Sequence, residues 1–331
     1  MFTMRFDMRA HPQGPPLQEL YAAALDMAEW AESRGCVGVQ VSEHHASPDG
    51  YLPVPFVLAS AVAARTKTLP IQVAAVIVPL HDPVELAEQM SVLDILSGGR
   101  VSHVCAVGYR EEEYAMFGRD MKSRGKRMEE CLEILRRAFT GEPFDYEGRR
   151  VQVTPAPLTP GGPTLLMGGG SKIAVRRAAR FGMGMITQGG DSTLEELYEE
   201  TCREAGTTPG MFVNPPLGDS VNSGFVARDP DQAWAEIGAY LLHDAQMYAA
   251  WLGGAATATK SAASSVEELR AEQGSYRIFT PEDAVQHIRD RGLLLTQPLC
   301  GGLPPELAWK SLELLVEEVL PALDPAQSSE E

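Results

Sequence analysis

The sequence lacks any apolar run approaching the roughly 18 residues that cross a bilayer. Its opening Met-Phe-Thr-Met-Arg-Phe-Asp-Met-Arg shows no basic segment followed by an apolar stretch. Neither export nor membrane insertion is expected, which points to the cytoplasm. Cysteine is sparse: Cys36, Cys105, Cys131, Cys202 and Cys300 form no CxxC pair and are odd in number, a pattern of reduced intracellular thiols. Bases are also short. With 28 Lys and Arg against 45 Asp and Glu the formal charge is −17, and that excess disfavours nucleic acid and anionic membranes as partners. A GxSxG elbow, a Walker lysine motif, HExxH and a complete dinucleotide glycine pattern are all missing, which leaves the common hydrolase, nucleotide-binding and zinc-peptidase signatures without support.

What the chain does carry is an alternation of strands and helices. Val37, Val39 and Val41 alternate with Gly38 and Gln40 as in a strand, which runs directly into Glu43-His44-His45 and the turn Ser47-Pro48-Asp49-Gly50. Further strands are predicted at 4–8, 71–78, 101–107, 164–167, 184–188, 223–227 and 293–296, each followed by apolar residues at helical spacing. Eight strand-and-helix units satisfy a closed barrel, whereas an open doubly wound sheet would have two left over. The expected fold is therefore α/β, a (β/α)8 TIM barrel with insertions at the carboxyl-terminal mouth of its strands. It is expected to form one domain over residues 1–322, with a mobile flap at 253–275 and a disordered tail at 323–331. The stretch 141–162, rich in proline and glycine, reads as a surface excursion. Capping boxes are expected at Asp82 to Glu85 and at Ser192 to Glu195, and Thr280 should start another helix.

Strand ends of such a sheet face the ligand site, so the paired histidines stand in a functional position. Their plain alternative is one packed and one solvated imidazole. Adjacent residues on extended backbone point to opposite sides, which suits one metal ion poorly, and no carboxylates cluster at ligand spacing; no metal is expected. His81 and His103 read as structural. Gly168-Gly169-Gly170-Ser171, between a strand and a helix, offers amides and a hydroxyl to an anion, or is simply a tight turn. Arg124, Lys126 and Arg127 crowd the first turn of a helix, where the macrodipole disfavours cations. Their counter-charge is either the acidic run Glu111 to Glu113 or a ligand phosphate. The loops around Tyr109 and Gln188, with segment 253–275, are the expected walls of a substrate pocket.

Several of these stretches together resemble the bacterial luciferase-like flavin monooxygenases: Ser42-Glu43-His44-His45, Val73-Ala74-Ala75-Val76, His81-Asp82-Pro83, Leu93-Asp94 with Ser97-Gly98-Gly99-Arg100, Phe117-Gly118 with Arg124, and Gly169-Gly170-Ser171. The resemblance runs to about residue 320. It implies a barrel that binds reduced FMN at its mouth and oxygenates a small organic substrate with O2 through a flavin peroxide. It implies that His44 is the catalytic residue stabilising that peroxide, with His45 beside it, and that a non-proline cis peptide joins Ala74 and Ala75 beneath the flavin ring. It also implies that Arg124, Gly169, Gly170 and Ser171 hold the phosphate, although Val107 stands where luciferase has a further phosphate-binding arginine. No nicotinamide site is evident, so a separate NAD(P)H:flavin reductase is the expected partner. A homodimer through the helices after strands two and three is implied by resemblance only. Two alternatives remain: hydride transfer with the deazaflavin coenzyme F-420 on the same fold, and a flavin-binding protein without catalysis.

Overall fold

A computed structural model describes residues 1–216, 220–252 and 261–323. Residues 253–260 of the expected flap and 324–331 of the expected tail lie outside them. The chain divides into two compact units, Met1–Gln40 with Ser47–Leu52 and Pro216–Glu331, and Val41–Ala46 with Pro53–Pro215.

In the first unit four strands run parallel: Tyr276–Phe279 beside Ser223–Val226, then Leu294–Thr296, then Phe2–Phe6. Phe2, Met4 and Phe6 alternate inward and are buried, as a strand period of two requires. The first strand thus begins two residues before the expected 4–8. It stops at Phe6 because Met8 adopts a φ of 59° while Asp7 and Arg9 turn into a buried charge cluster. There the Arg9 guanidinium, fully buried, meets Asp49 Oδ2 at 2.6 Å and Asp244 Oδ1 at 2.8 Å. The rings of Tyr51, Tyr248 and Trp251 surround it at 4.3 to 4.7 Å, a cation held by both carboxylates and π-faces. Burial and the neighbouring Asp244 push the Asp7 carboxyl up to about 7, against the pull of Arg9. The strand 276–279 was not expected, and helix Val266–Ala271, capped by Ser265, occupies part of the expected flap.

The second unit is a parallel ladder in the order Ile71–Ile77, Val101–Ala106, Thr164–Gly168, Gly184–Ile186 and Phe212–Val213. Helices Pro83–Ser97, Arg124–Ala138, Lys172–Arg180 and Leu194–Ala205 follow the first four of these strands. Because parallel strands joined by helical crossovers share a direction, their carboxyl ends gather on one side. Ala74–Ala75 is a cis peptide, and the ladder register shifts between Ala74 and Val76. Gly168 lies so close to the next strand that a Cβ would stand 2.9 Å from Val104 Cγ1, which explains its glycine.

Local signals had mixed outcomes. Asp82 does cap its helix, accepting from the Val84 and Glu85 amides at 2.9 and 3.3 Å, but Glu85 reaches forward to Gln89 and not back to the cap. The capping box at 192–195 does not form: Thr193 is the N-cap residue without a side-chain cap bond, and its amide and hydroxyl both donate to Asp191. The surface excursion contains an antiparallel hairpin of Phe144–Tyr146 and Arg149–Val151, turned by Glu147 and Gly148, both with positive φ.

Candidate active site

The residues after strand Cys36–Val41 and those after strands 71–77 and 101–106 meet around two buried glutamates. His44 is almost fully buried, and its Nδ1 lies 2.8 Å from Glu113 Oε1. The same oxygen accepts from the His45 amide at 2.9 Å and from Arg110 Nη1 at 3.1 Å. Burial would raise the pKa of Glu113, but the His44 hydrogen bond and charge, the His45 amide and Arg110 together hold it below the usual carboxylate value. An ionised carboxylate is acceptor only, so His44 Nδ1 carries a proton. In the neutral ring Nε2 is then the lone-pair nitrogen, and it stands 3.2 Å from the Tyr109 hydroxyl, which can donate to it.

His45 has a different set of partners. Its Nε2 lies 2.8 Å from Glu43 Oε1, and its ring meets Phe117 edge-on at 4.7 Å between centroids. Glu43 Oε1 also faces His81 Nε2 at 2.8 Å, while Oε2 accepts from the Ile77 amide at 2.7 Å. Burial opposes the charge on Glu43, yet His81, His45 and the Ile77 amide outweigh it and bring its pKa down to about 2. Burial likewise opposes protonation of His81, and Glu43 overrides it so that the His81 pKa is raised. Both members of the histidine pair are therefore buried and hydrogen-bonded, which corrects the plain alternative of one packed and one solvated ring.

Ala74 and Ala75 are half-buried in the 71–77 strand. Ser171 caps helix 172–180, its Oγ accepting from the Ala174 amide at 3.1 Å. Gly169 has a φ of 124°, and a Cβ at exposed Gly170 would meet nothing within 4 Å. Arg124 opens helix 124–138 and donates from Nη1 to the Met121 carbonyl at 2.9 Å. The carbonyl of the next residue, Gly125, accepts from Arg177 at 3.3 Å, which ties the segment bearing Arg124 to the helix that Ser171 caps. Tyr109 is half-buried at His44, whereas Gln188 is exposed. Among the described residues no ion pair joins the acidic run to Arg124 or Arg127, and Glu113 is engaged by His44 and Arg110 instead. His103 is fully buried against Phe56, as a structural residue should be. Among the described residues no group of three His, Cys, Asp or Glu side chains is placed to hold a metal.

Comparison with known proteins settles the family. The profile of luciferase-like monooxygenases matches residues 2–290. The chain belongs to that family. Curated relatives of this luciferase-like chain include an uncharacterized protein, Rv0940c, of Mycobacterium tuberculosis, 34% identical over 161 residues that make up 46% of this chain and 55% of that one. The alkanal monooxygenase alpha chain of Photorhabdus luminescens is 28% identical over 199 residues, 57% of this chain and 55% of its own. The chain thus spans about half the length of the curated relatives it matches. Among solved structures, monooxygenase RslO1 from Streptomyces bottropensis superposes with a TM-score of 0.78 at 22% identity, covering 98% of this chain and 99% of that one. The FMN complex of the oxygenating constituent of 3,6-diketocamphane monooxygenase from Pseudomonas putida gives 0.69 at 20%, with 98% of each chain covered. These likenesses show the fold, and the (β/α)8 class read from the sequence is the one shared with them.

Within this luciferase-like site, Glu43, Glu113 and the pairing of His81 with Glu43 were not anticipated. The available signal was the sequence Glu43-His44-His45 itself, a carboxylate adjoining two imidazoles at the end of a strand. Glu113 gave no such signal, since it sits in a run of three glutamates that reads as solvated. The cis peptide at Ala74–Ala75, implied by the resemblance, is present.

Proposed function

We propose that the protein is a cytoplasmic flavin-dependent monooxygenase that receives FMN reduced by a separate NAD(P)H:flavin reductase and transfers one oxygen atom of O2 to a small organic substrate. The observation that carries this reading is His44, held by Glu113 at Nδ1 and meeting Tyr109 at Nε2. Bound reduced FMN would supply two electrons; with two protons, the second oxygen atom leaves as water. The residues present fit that cofactor. Small side chains at Ala74 and Ala75 leave room for a flat ring, and His45 is proposed as a further cofactor contact. Arg124, Gly169, Gly170 and Ser171 offer a guanidinium, amides and a hydroxyl to its phosphate. His44 accepts or returns a proton at Nε2, while Glu113 keeps Nδ1–H in place and favours the charged ring that results. Tyr109 supplies the next proton in line.

The helices Pro55–Arg65 and Pro83–Ser97 expose Val57 at 69% and Leu96 at 55%, with Val92, Ile95 and the N-cap residue Val54 also exposed. Such apolar exposure supports a homodimer through those two helices.

The test is a binding and oxygen experiment. Wild-type protein, His44→Ala and Glu113→Gln are titrated with reduced FMN without oxygen and then mixed with O2, and released hydrogen peroxide is followed. The expected result is binding within about threefold for all three, with peroxide release accelerated about tenfold or more in both variants, as loss of a positioned hydrogen-bonding group implies. Absence of flavin binding would sink the reading, and tight binding of the deazaflavin alone would replace it by hydride transfer.

A further inference from the structure

His45 is held by its backbone as well as by its ring. Its amide donates to Glu113 Oε1 at 2.9 Å, and its carbonyl accepts from Arg110 Nη1 at 2.6 Å. The same Nη1 donates to Glu113 Oε1 at 3.1 Å, so two side chains and the backbone of one residue close a ring of hydrogen bonds. Only 6% of the Arg110 side chain is exposed, and that of Glu113 is wholly buried. Each bond of the ring involves an ionised group and forms out of water, where such bonds are roughly twice as strong as neutral ones.

The ring adjoins a strained turn. Ala46 adopts a φ of 52°, a left-handed conformation that crowds a Cβ and that glycine or asparagine takes more readily. Its side chain is exposed, so burial of the methyl does not hold it there. Rotation about the N–Cα bond of Ala46 works against the peptide that joins it to His45, and the carbonyl of that peptide is the one Arg110 grips. The amide that Glu113 grips belongs to the preceding peptide, which carries the Cα of His44. With both peptides held, His44 is fixed at its root, and its Nδ1 meets Glu113 Oε1 at 2.8 Å.

We propose that Arg110 is a positioning residue for the reaction: by clamping the backbone of His45 to Glu113 it holds the left-handed turn at Ala46, which keeps His44 Nδ1 on the carboxylate and Nε2 toward the Tyr109 hydroxyl. Arg110 acts through His44. The functional part of this role rests on the reading of His44 given above.

The experiment compares wild-type protein with Arg110→Met, Arg110→Met/Ala46→Gly, His44→Ala and Arg110→Met/His44→Ala, each checked for folding by circular dichroism. Without flavin, nitrogen-15 spectra of histidine-labelled protein, taken where the ring is neutral, report which nitrogen of His44 carries the proton; its signal is the one that His44→Ala removes from among seven histidines. The expected result is Nδ1–H alone in the wild type, a mixture of both tautomers in Arg110→Met, and a return to Nδ1–H when Ala46→Gly relieves the turn. With reduced FMN and O2, Arg110→Met should release hydrogen peroxide about tenfold faster than wild type. Added to His44→Ala, it should change the rate by less than about twofold, because a residue that works through another adds nothing once that one is gone. Independent, multiplying effects of the two substitutions, an unchanged tautomer in Arg110→Met, or no restoration by Ala46→Gly overturns the proposal. A wild-type protein that binds no flavin ends the monooxygenase reading, and the tautomer measurement then decides the clamp by itself. Should Arg110→Met not fold, Arg110→Gln, whose side chain is shorter and uncharged, carries the same comparison.

Discussion

His103→Leu should stabilise the protein more at pH 5 than at pH 7.5. The imidazole lies in the 101–106 strand with no solvent exposure, both ring nitrogens lack a hydrogen-bond partner among the described residues, and burial brings its pKa down to about 3. The unfolded chain, with an ordinary histidine value near 6.5, takes up a proton as pH falls while the folded chain does not. A base with a lowered folded pKa gives stability that is full above about 6.5 and lost as pH falls toward 3. At pH 5 the gap from the unfolded value is about 1.5 units, worth about 2 kcal/mol, and at pH 7.5 it is close to nothing. Leucine carries no such loss. At pH 7.5 the variant gains by removing two unpaired buried nitrogens, roughly 1–3 kcal/mol, and loses the stacking on Phe56, about 0.5–1.5 kcal/mol, so the sign there is close to balanced. The change between the two pH values is the sharper readout. For a chain of this size 2 kcal/mol corresponds to roughly 3–4 °C, so differential scanning calorimetry of both proteins at both pH values should show the variant's advantage growing by that amount. An equal difference at the two pH values would refute the reasoning, because His103 would then have to protonate as readily folded as unfolded.

Asp244→Asn should lower the thermal midpoint, since Asp244 pairs with the fully buried Arg9 and accepts from the Tyr276 hydroxyl at 2.7 Å. Removing one partner of a buried pair costs about 3–5 kcal/mol, and the low end is expected because Asp49 remains on Arg9 and Asp7 is relieved of a neighbouring charge; an unchanged midpoint would count against the cluster. Val57→Asp and Leu96→Glu should turn a dimer into a monomer in sedimentation at micromolar protein. Each places a charge where an apolar side chain worth about 1.5–3 kcal/mol would be buried, and a wild-type protein that is already monomeric there would end the homodimer reading.

The strands were legible because β-branched apolar runs such as Ile71–Ile77 have no competing period, whereas the unexpected elements each hide a signal. Tyr276–Phe279 is four residues long, interrupted by Arg277 and preceded by Gly274 and Ser275, so it merges with the polar segment before it. The hairpin turn uses Glu147-Gly148 where Asn-Gly or Asp-Gly would have announced it. Site positions were legible where one side chain suffices, as for His44 at a strand end. Partnerships were not, because they join residues far apart in the chain: Glu113 lies 69 positions from His44, and His81 lies 38 from Glu43. Arg9 shows the same limit, drawing its carboxylates from positions 49 and 244. Periodicity reports which face a residue takes and carries nothing about which distant side chain it will meet there.

The contrast between the two adjacent histidines comes from which ring nitrogen each carboxylate takes. Glu113 meets His44 at Nδ1, the nitrogen nearer the backbone, so the outer Nε2 is left to the Tyr109 hydroxyl, a neutral group that can give up or receive a proton. Glu43 meets His45 at Nε2, the outer nitrogen, and thereby closes the end of that ring. An imidazole can pass a proton only through a nitrogen that faces the acceptor. Two neighbouring residues of identical chemistry are thus divided into one that can take part in proton transfer and one that is anchored. The division needs both carboxylates: with Glu113 uncharged, its Oε1 would no longer require the proton of His44 on Nδ1, and the outer nitrogen would lose the bias that makes it the acceptor.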